Sequence, residues 1–430
     1  MPPPAPRLSA PDGRAPRRAA LALIGLVTGR RLLLSDPACT ALLDRLPPES
    51  RARARRLAAE TLRQLDRADR WLAPLLSRAP PAALRDALRL GAVEIGEGGA
   101  PHGVVNDIVA LLAEDQRTRH LKGAANAILR RLGDQGPAAY AALPPPRLPG
   151  WLRDPLCAAW GDPAVCAIEA VQATVPPLDL TARDDPEGLA RQLGAALLPT
   201  LSLRLPATTQ VSALPGFAEG LFWVQDAAAA LPARLLAPRR GEKVLDLCAA
   251  PGGKTLQLAA MGAAVTALDI SAPRAARITE NLTRTGLAAR IVVADALGFA
   301  DAGWEAILLD APCSATGTIR RHPDLPHARD GHEIAGLVKI QARMIDHALG
   351  LLAPGGRLVF STCSLLPAEG EAQTRAALAR HPGLAVQTPD LPGLDPAWTS
   401  PEGGLRLRPD HWADRGGIDG FYIVMLRKPA

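Results

Sequence analysis

Two cysteines, Cys313 and Cys363, are the side chains of this sequence best placed to do covalent chemistry. Cys313 lies in the run Leu308-Leu309-Asp310-Ala311-Pro312-Cys313-Ser314, and Cys363 in Phe360-Ser361-Thr362-Cys363-Ser364. Each run opens on apolar residues of the kind that form a buried parallel strand. Ligands and reactive groups of open α/β sheets gather at the carboxyl ends of such strands. Two thiols delivered there suggest a thiolate nucleophile and a thiol helper around one bound cofactor. A free Cys taken alone is more often a small buried hydrophobe. The shared placement, downstream of a glycine-rich loop, favours chemistry. From these residues alone, either thiol can be the one that attacks.

The loop is Asp246-Leu247-Cys248-Ala249-Ala250-Pro251-Gly252-Gly253-Lys254-Thr255, leaving a strand and entering a helix. Its small residues let the backbone approach a ligand closely. The helix start offers free N–H groups and a positive dipole end. A mononucleotide phosphate loop needs a glycine where Cys248 stands, and the dinucleotide G-x-G-x-x-G spacing is absent. Acidic residues follow the next strands at Asp269, Asp295 and Asp310. An acid at the end of the second strand suits the two hydroxyls of a ribose. Each Asp alone is better read as a helix cap; three around one loop argue for a ligand. A cofactor with a ribose and no phosphate fits, and S-adenosylmethionine is such a molecule. Lys254 stands out because the chain has only five lysines against forty-four arginines.

These elements need a scaffold. Residues 1–16 are rich in Pro and Ala and read as a disordered tail. Residues 17–142 carry helical periodicity, as in Leu57, Thr61, Leu62, Leu65 and in Val104, Val105, Ile108, Leu111, Leu112. Pro144-Pro145-Pro146 marks a stiff linker over 143–150. Residues 151–222 read as a small α+β module. Residues 223–430 alternate strand and helix, which predicts a mostly parallel sheet. The expected strands include 244–247, 265–270, 290–294, 306–309 and 357–360. The apolar run Phe421–Leu426 has no helix after it and predicts an antiparallel strand at the sheet edge. The fold class is thus multidomain: an all-α domain, a small α+β module and an α/β Rossmann-like domain.

The chain of 430 residues is too long for one core. No apolar run reaches a membrane span of roughly 18 residues. Its six cysteines form no C-x-x-C pair, which argues against zinc or a disulfide framework, so no metal is expected and a cytoplasmic location is. The net charge is +6, and the basic surplus falls in the N-terminal third, as a polyanion contact would require.

Asp246–Thr255, Asp310–Ser314 and Thr362–Ser364 resemble the motifs of bacterial RNA cytosine-5 methyltransferases of the NOL1/NOP2/Sun group. Within it, the chain is most similar to enzymes of small-subunit ribosomal RNA with an N-terminal domain like the antitermination factor NusB. Pro101-His102-Gly103 and Leu121–Arg130 resemble the end of that domain; Val224–Ala227 and Arg320–Asp324 match as well. The resemblance implies S-adenosylmethionine at Cys248, Ala249, Ala250, Pro251, Gly252, Gly253 and Lys254, with Asp269, Asp295 and Asp310. It implies Cys363 as nucleophile and Cys313 as the group that assists release. Two departures stand out. Leu325-Pro326-His327-Ala328-Arg329 lacks an expected Trp and basic cluster, and Pro144-Pro145-Pro146 replaces a longer connection.

Cytosine C5 is a poor nucleophile toward a methyl sulfonium. Thiolate addition at C6 makes C5 enamine-like, dividing one hard step into easier ones. Asp310 is expected to assist at ring N3, with Lys254 near both groups. The base must leave its stack, which loops and single strands allow cheaply. Arg320, Arg321 and His322 are expected to meet phosphate or base. Ribosomal RNA is the expected partner, with no DNA and no membrane, and the chain is expected to be a monomer. The competing readings are a methyltransferase of another RNA such as tRNA, a non-catalytic NusB-like RNA-binding factor, and a DNA cytosine-5 methyltransferase using Pro312-Cys313. The intact loop argues against the non-catalytic factor, and Thr362-Cys363-Ser364 against the DNA enzyme.

Overall fold

The computed structural model describes residues 14–430; the stretch 1–13, most of the expected tail, lies outside the described residues. The tail expectation fails at its end. Ala15 and Pro16 open the helix Ala15–Arg30, with Pro where a missing N–H costs nothing. The described residues divide into two compact units, one running to residue 154 with 321–330, the other residues 155–320 with 331–430.

The first unit is helical. Helices Ala15–Arg30, Pro48–Arg63, Ala82–Gly96, Pro101–Glu114 and Lys122–Ala141 enclose one apolar core, with Leu23, Ile24, Leu88, Leu90, Ile108, Leu129 and Tyr140 buried in it. Gly91 and Gly96 let helices close up, since a Cβ at 96 would strike the Tyr140 ring at 2.5 Å. Arg17, almost buried, is held by Glu94 and Asp107. The proline-rich stretch lies on this unit. The Leu143 and Pro145 carbonyls accept from Arg67 and Arg70, and Arg147 N donates to Asp66. The segment 321–330 belongs here too: Asp324 accepts from Leu34 N at 2.8 Å, and His327 Nε2 lies 2.9 Å from the Leu62 carbonyl.

The second unit holds two sheets. The small one has strands β1 (Leu178–Ala182), β2 (Ala196–Leu197), β3 (Leu203–Leu205) and β4 (Phe222–Val224), in the order β2-β3-β1-β4. The buried pair Arg204–Asp179 anchors it, Arg204 also donating to the Arg415 and Gly417 carbonyls. The large sheet comprises β5 (Lys243–Leu247), β6 (Ala264–Asp269), β7 (Arg290–Val293), β8 (Trp304–Asp310), β9 (Leu352–Thr362), β10 (Ala385–Gln387), β11 (Leu405–Leu407) and β12 (Phe421–Arg427). Its order is β10-β12-β9-β8-β5-β6-β7, with β11 on β12. β5 to β9 are parallel, joined by helices such as Gly253–Ala260, Ala272–Thr285 and Ile334–Leu351.

One expectation is corrected. β12 is antiparallel, but it is no edge: it is inserted between β9 and β10. Every side chain from Phe421 to Leu426 is buried. A run apolar at consecutive positions needs both faces covered, and an interior position provides that. Each such side chain contributes about 1.5–3 kcal/mol by leaving water.

Candidate active site

β5, β8 and β9 end side by side, and the candidate residues follow from their ends. Asp310 closes β8 next to Ser361 of β9, in register. Its Oδ1 accepts from Ser361 Oγ at 2.9 Å and its Oδ2 from Lys254 Nζ at 2.7 Å. Lys254 comes from the first turn of the Gly253–Ala260 helix, and its ammonium lies 5.5 Å from the centre of the Phe421 ring. Burial works against the Lys254 charge. Asp310, with smaller contributions from Cys363 and Asp246, more than offsets that and holds its pKa above the ordinary value.

The two sulfurs are 3.4 Å apart, within hydrogen-bond reach. The Cys313 thiol is pushed well above its usual range by its hydrogen bond to Cys363, then by burial and by charge on Cys363 and Glu369. Burial and the contact with Cys363 thus favour the neutral form of Cys313, and either sulfur can be the donor between them.

Sequence reading missed what holds the two loops together. Glu369 is wholly buried beneath the cysteines. Its Oε1 accepts from Ser314 N at 3.0 Å and from Gln341 Nε2 at 3.0 Å; its Oε2 accepts from Ser364 Oγ at 2.6 Å and from Ser314 Oγ. Thr316 Oγ1 accepts from Leu365 N. Gly317 N donates to the Cys363 carbonyl, while its own carbonyl accepts from Gly420 N. A side chain at 317 has no room, since a Cβ would sit 1.9 Å from the Gly420 oxygen.

The glycine-rich loop turns sharply after β5. Cys248 and Gly252 both have positive φ, 62° and 107°. A Cβ at 252 would press on Ile278 at 3.1 Å, so glycine answers both the backbone conformation and the close packing. Ala249 and Ala250 are buried; Ala249 N donates to the Leu268 carbonyl and Pro251 follows a cis peptide bond. Beneath the loop, Asp246 has no exposed surface. Thr255 Oγ1 donates to its Oδ2 at 2.6 Å, and its Oδ1 has no partner among the described residues. Burial raises its pKa to about 7. Cys248 is pushed up to about 12 by burial, so it is a neutral thiol wall rather than a nucleophile.

The acidic residues play unlike parts. Asp269 closes β6, 2 % exposed, its oxygens accepting from Ala250 N and Ser271 N. It fixes the loop, and each oxygen retains a lone pair for a ligand hydroxyl. Asp295 is exposed and caps a short turn through Leu297 N. Asp310 belongs with Lys254 and the cysteine loops. Two apolar side chains lie exposed beside Asp269: Ile270, which follows it, and Val293, its register partner on β7. The signal for Ile270 was an apolar residue just past a strand-end acid. Among the described residues no cluster of three or more His, Cys, Asp or Glu could hold a metal ion, and no helix is long and apolar enough to cross a membrane.

The RNA-contact expectation is corrected for Arg320. It is wholly buried, donating to Asp226 and Asp419, each at 3.0 Å, and to the Gly416 carbonyl. Three acceptors and no exposed surface make it a structural cation. Arg321 and His322 fall in the segment of the helical unit, where His322 is exposed.

Comparison with known proteins agrees with this architecture. The family model described as 16S rRNA methyltransferase RsmB/F matches residues 233–427, and that of the NusB family matches residues 14–134. The chain is 36% identical to the ribosomal RNA small subunit methyltransferase B of Pseudomonas syringae pv. tomato, over 96% of each chain. A solved structure titled PH0851 superposes with a TM-score of 0.74 at 22% identity, covering 98% of this chain and all of that one. A methyltransferase homolog from Pyrococcus horikoshii gives 0.55 at 27% identity, covering 64% of this chain and 93% of that one. With a NusB-family helical domain, a Rossmann-like sheet and this similarity over nearly its whole length, the chain belongs to the ribosomal RNA small subunit methyltransferase B family of S-adenosylmethionine-dependent RNA methyltransferases.

Proposed function

We propose that the chain methylates C5 of a cytosine in small-subunit ribosomal RNA through a covalent adduct between Cys363 and C6 of the base. The observation that carries this reading is the Cys313–Cys363 pair, 3.4 Å apart, with the Lys254–Asp310 pair nearby. The relatives' names supply the ribosomal substrate.

The residues fit the donor. The loop at 248–254 ends at a helix start whose first N–H groups have no acceptor within the helix, suited to a carboxylate. Asp269 has acceptor capacity for ribose hydroxyls, and Ile270 with Val293 offers apolar surface for a flat ring. When bound, S-adenosylmethionine supplies an electrophilic methyl group.

Cys363 then acts as the thiolate, with the Lys254 ammonium favouring its charge. Cys313, kept protonated, donates to the Cys363 sulfur and steadies it until it attacks C6. Asp310 is fixed by Lys254 and Ser361 with its carboxylate partly exposed, where it can accept from the pyrimidine N3 once that nitrogen takes a proton from solvent as the thiolate adds. After methyl transfer a water molecule takes the C5 proton, the C5–H electron pair restores the C5–C6 double bond, and Cys363 leaves as its thiolate. Cys313 assists this release.

RNA carrying tritium at cytosine C5 tests the reading. Turnover should release one tritium to water per methyl group transferred. Methylation without tritium release would place the methyl elsewhere and reject the proposal.

A further inference from the structure

The second unit holds a cavity of about 970 Å³ apart from the candidate active site. It is walled by β1 and the loops after β1 and β2, by the helix Leu231–Leu236, and by the far end of the helix Gly253–Ala260. That helix starts at the donor loop, beyond the carboxyl end of β5, and reaches the cavity with Ala260 and Met261, just before β6 begins. Its eight residues span about 12 Å. The cavity therefore sits at the amino ends of the strands, on the side where open α/β sheets do not ordinarily bind substrate.

Its walls are mostly aliphatic, from Leu201, Leu231, Pro238, Met261 and Leu391. Among them stands one cation without a counterpart. Arg234 has no hydrogen-bond or ion-pair partner among the described residues, and burial alone acts on it, lowering its pKa to about 10. The other cation of the wall, Arg183, is engaged by Asp184 at 2.7 Å and by the Thr285 carbonyl at 3.0 Å. The hydroxyls of Thr181 and Thr200, also in the wall, are buried with no partner among the described residues. An unpaired, partly desolvated guanidinium is a standing cost to the fold. A ligand anion removes that cost.

We propose that this cavity is a second ligand site, which takes a small monoanion with an apolar body, its head on Arg234. The volume suits a ligand of drug-like size in a mostly apolar pocket with few polar groups. A polynucleotide backbone is the poorer fit. It gains affinity from several cations at once, and only Arg234 is free here. The carboxylate or phosphate of a small amphiphile needs one.

The test uses the full chain. Anilinonaphthalene sulfonate, a fluorescent aromatic monoanion, should titrate to saturation at a single site. Octanoate should displace it, while octanol and inorganic phosphate, each lacking half of the required chemistry, should not. Arg234→Met should weaken octanoate at least tenfold, and Arg234→Lys should keep most of the affinity. Thermal melts should show Arg234→Met no less stable than the parent, since it loses only an unpaired cation. The proposal is overturned if Arg234→Met binds octanoate undiminished or fails to fold, or if octanol competes as well as octanoate. Displacement of the probe by S-adenosylmethionine would place it in the donor site and also overturn the proposal. Displacement by a short RNA but not by octanoate would make the cavity an RNA subsite instead.

Discussion

Glu369 and Ser314, fifty-five residues apart in sequence, are joined by two hydrogen bonds, from Ser314 N and from Ser314 Oγ, beneath the two cysteines. With Ser364 on the same carboxylate, Glu369 ties the loop of Cys313 to the loop of Cys363. The spacing of the sulfurs thus rests on a residue with no exposed surface.

Glu369→Ala should therefore leave S-adenosylmethionine binding near its original strength and lower kcat by at least tenfold. It should also cost about 1–3 kcal/mol of stability for the donors left unpaired. Calorimetry with the donor and a single-turnover assay check this. Full activity in a folded Glu369→Ala protein would show that the two loops hold their spacing without it.

Lys254 favours negative charge at Cys363, and Asp310 holds it in place. Lys254→Met should slow alkylation of Cys363 by iodoacetamide at neutral pH several-fold. An unchanged alkylation profile would remove Lys254 from the activation of the thiol.

Asp246 gives a pH dependence of defined sign. Burial raises its folded pKa to about 7, above its value in the unfolded chain. Between about pH 4 and pH 7 the folded state holds the extra proton, so stability contributed by this group falls as pH rises through that window and is flat above it. Asp246→Asn can still accept from Thr255 and has no charge to desolvate. Its stability relative to the parent should rise from pH 4 to pH 7. Denaturant unfolding of both proteins at each pH gives the difference; no trend, or the reverse one, rejects a protonated Asp246.

Arg320 separates a structural cation from an RNA contact. Arg320→Ala removes the cation from the buried carboxylates of Asp226 and Asp419, a change that costs about 3–5 kcal/mol in comparable buried networks. The salt dependence of RNA binding should not change, because no phosphate contact is lost. A shallower salt slope with unchanged stability would restore the RNA role.

The sequence made some of this legible and not the rest, for physical reasons. Buried parallel strands read as continuous apolar runs, so 244–247 and 306–309 fell within observed strands. The loop at 248–254 was legible because small residues between strand and helix are a local signal. The interior place of β12 was not, since the order of strands across a sheet is set by packing between distant segments. Arg320 misled because Arg-Arg-His looks like a basic loop, while its two carboxylates come from positions 226 and 419. Glu369 gave no signal at all: nothing in Leu366-Pro367-Ala368-Glu369 marks a carboxylate whose partners lie on two other loops. The cysteines were found by their strand ends, and their mutual approach emerged only from the fold.

In the proposed mechanism the two thiols divide attack and release between them, and trapping of RNA tests this most directly. Each variant is incubated with S-adenosylmethionine and small-subunit ribosomal RNA, then denatured and resolved by size. Cys363→Ala cannot form the bond to C6, so it should be inactive and release its RNA freely. Cys313→Ala can attack and transfer methyl but cannot resolve the adduct, so it should retain RNA after denaturation. A trapped complex with Cys363→Ala and none with Cys313→Ala would reverse the assignment. Activity without trapping in both would contradict covalent catalysis itself.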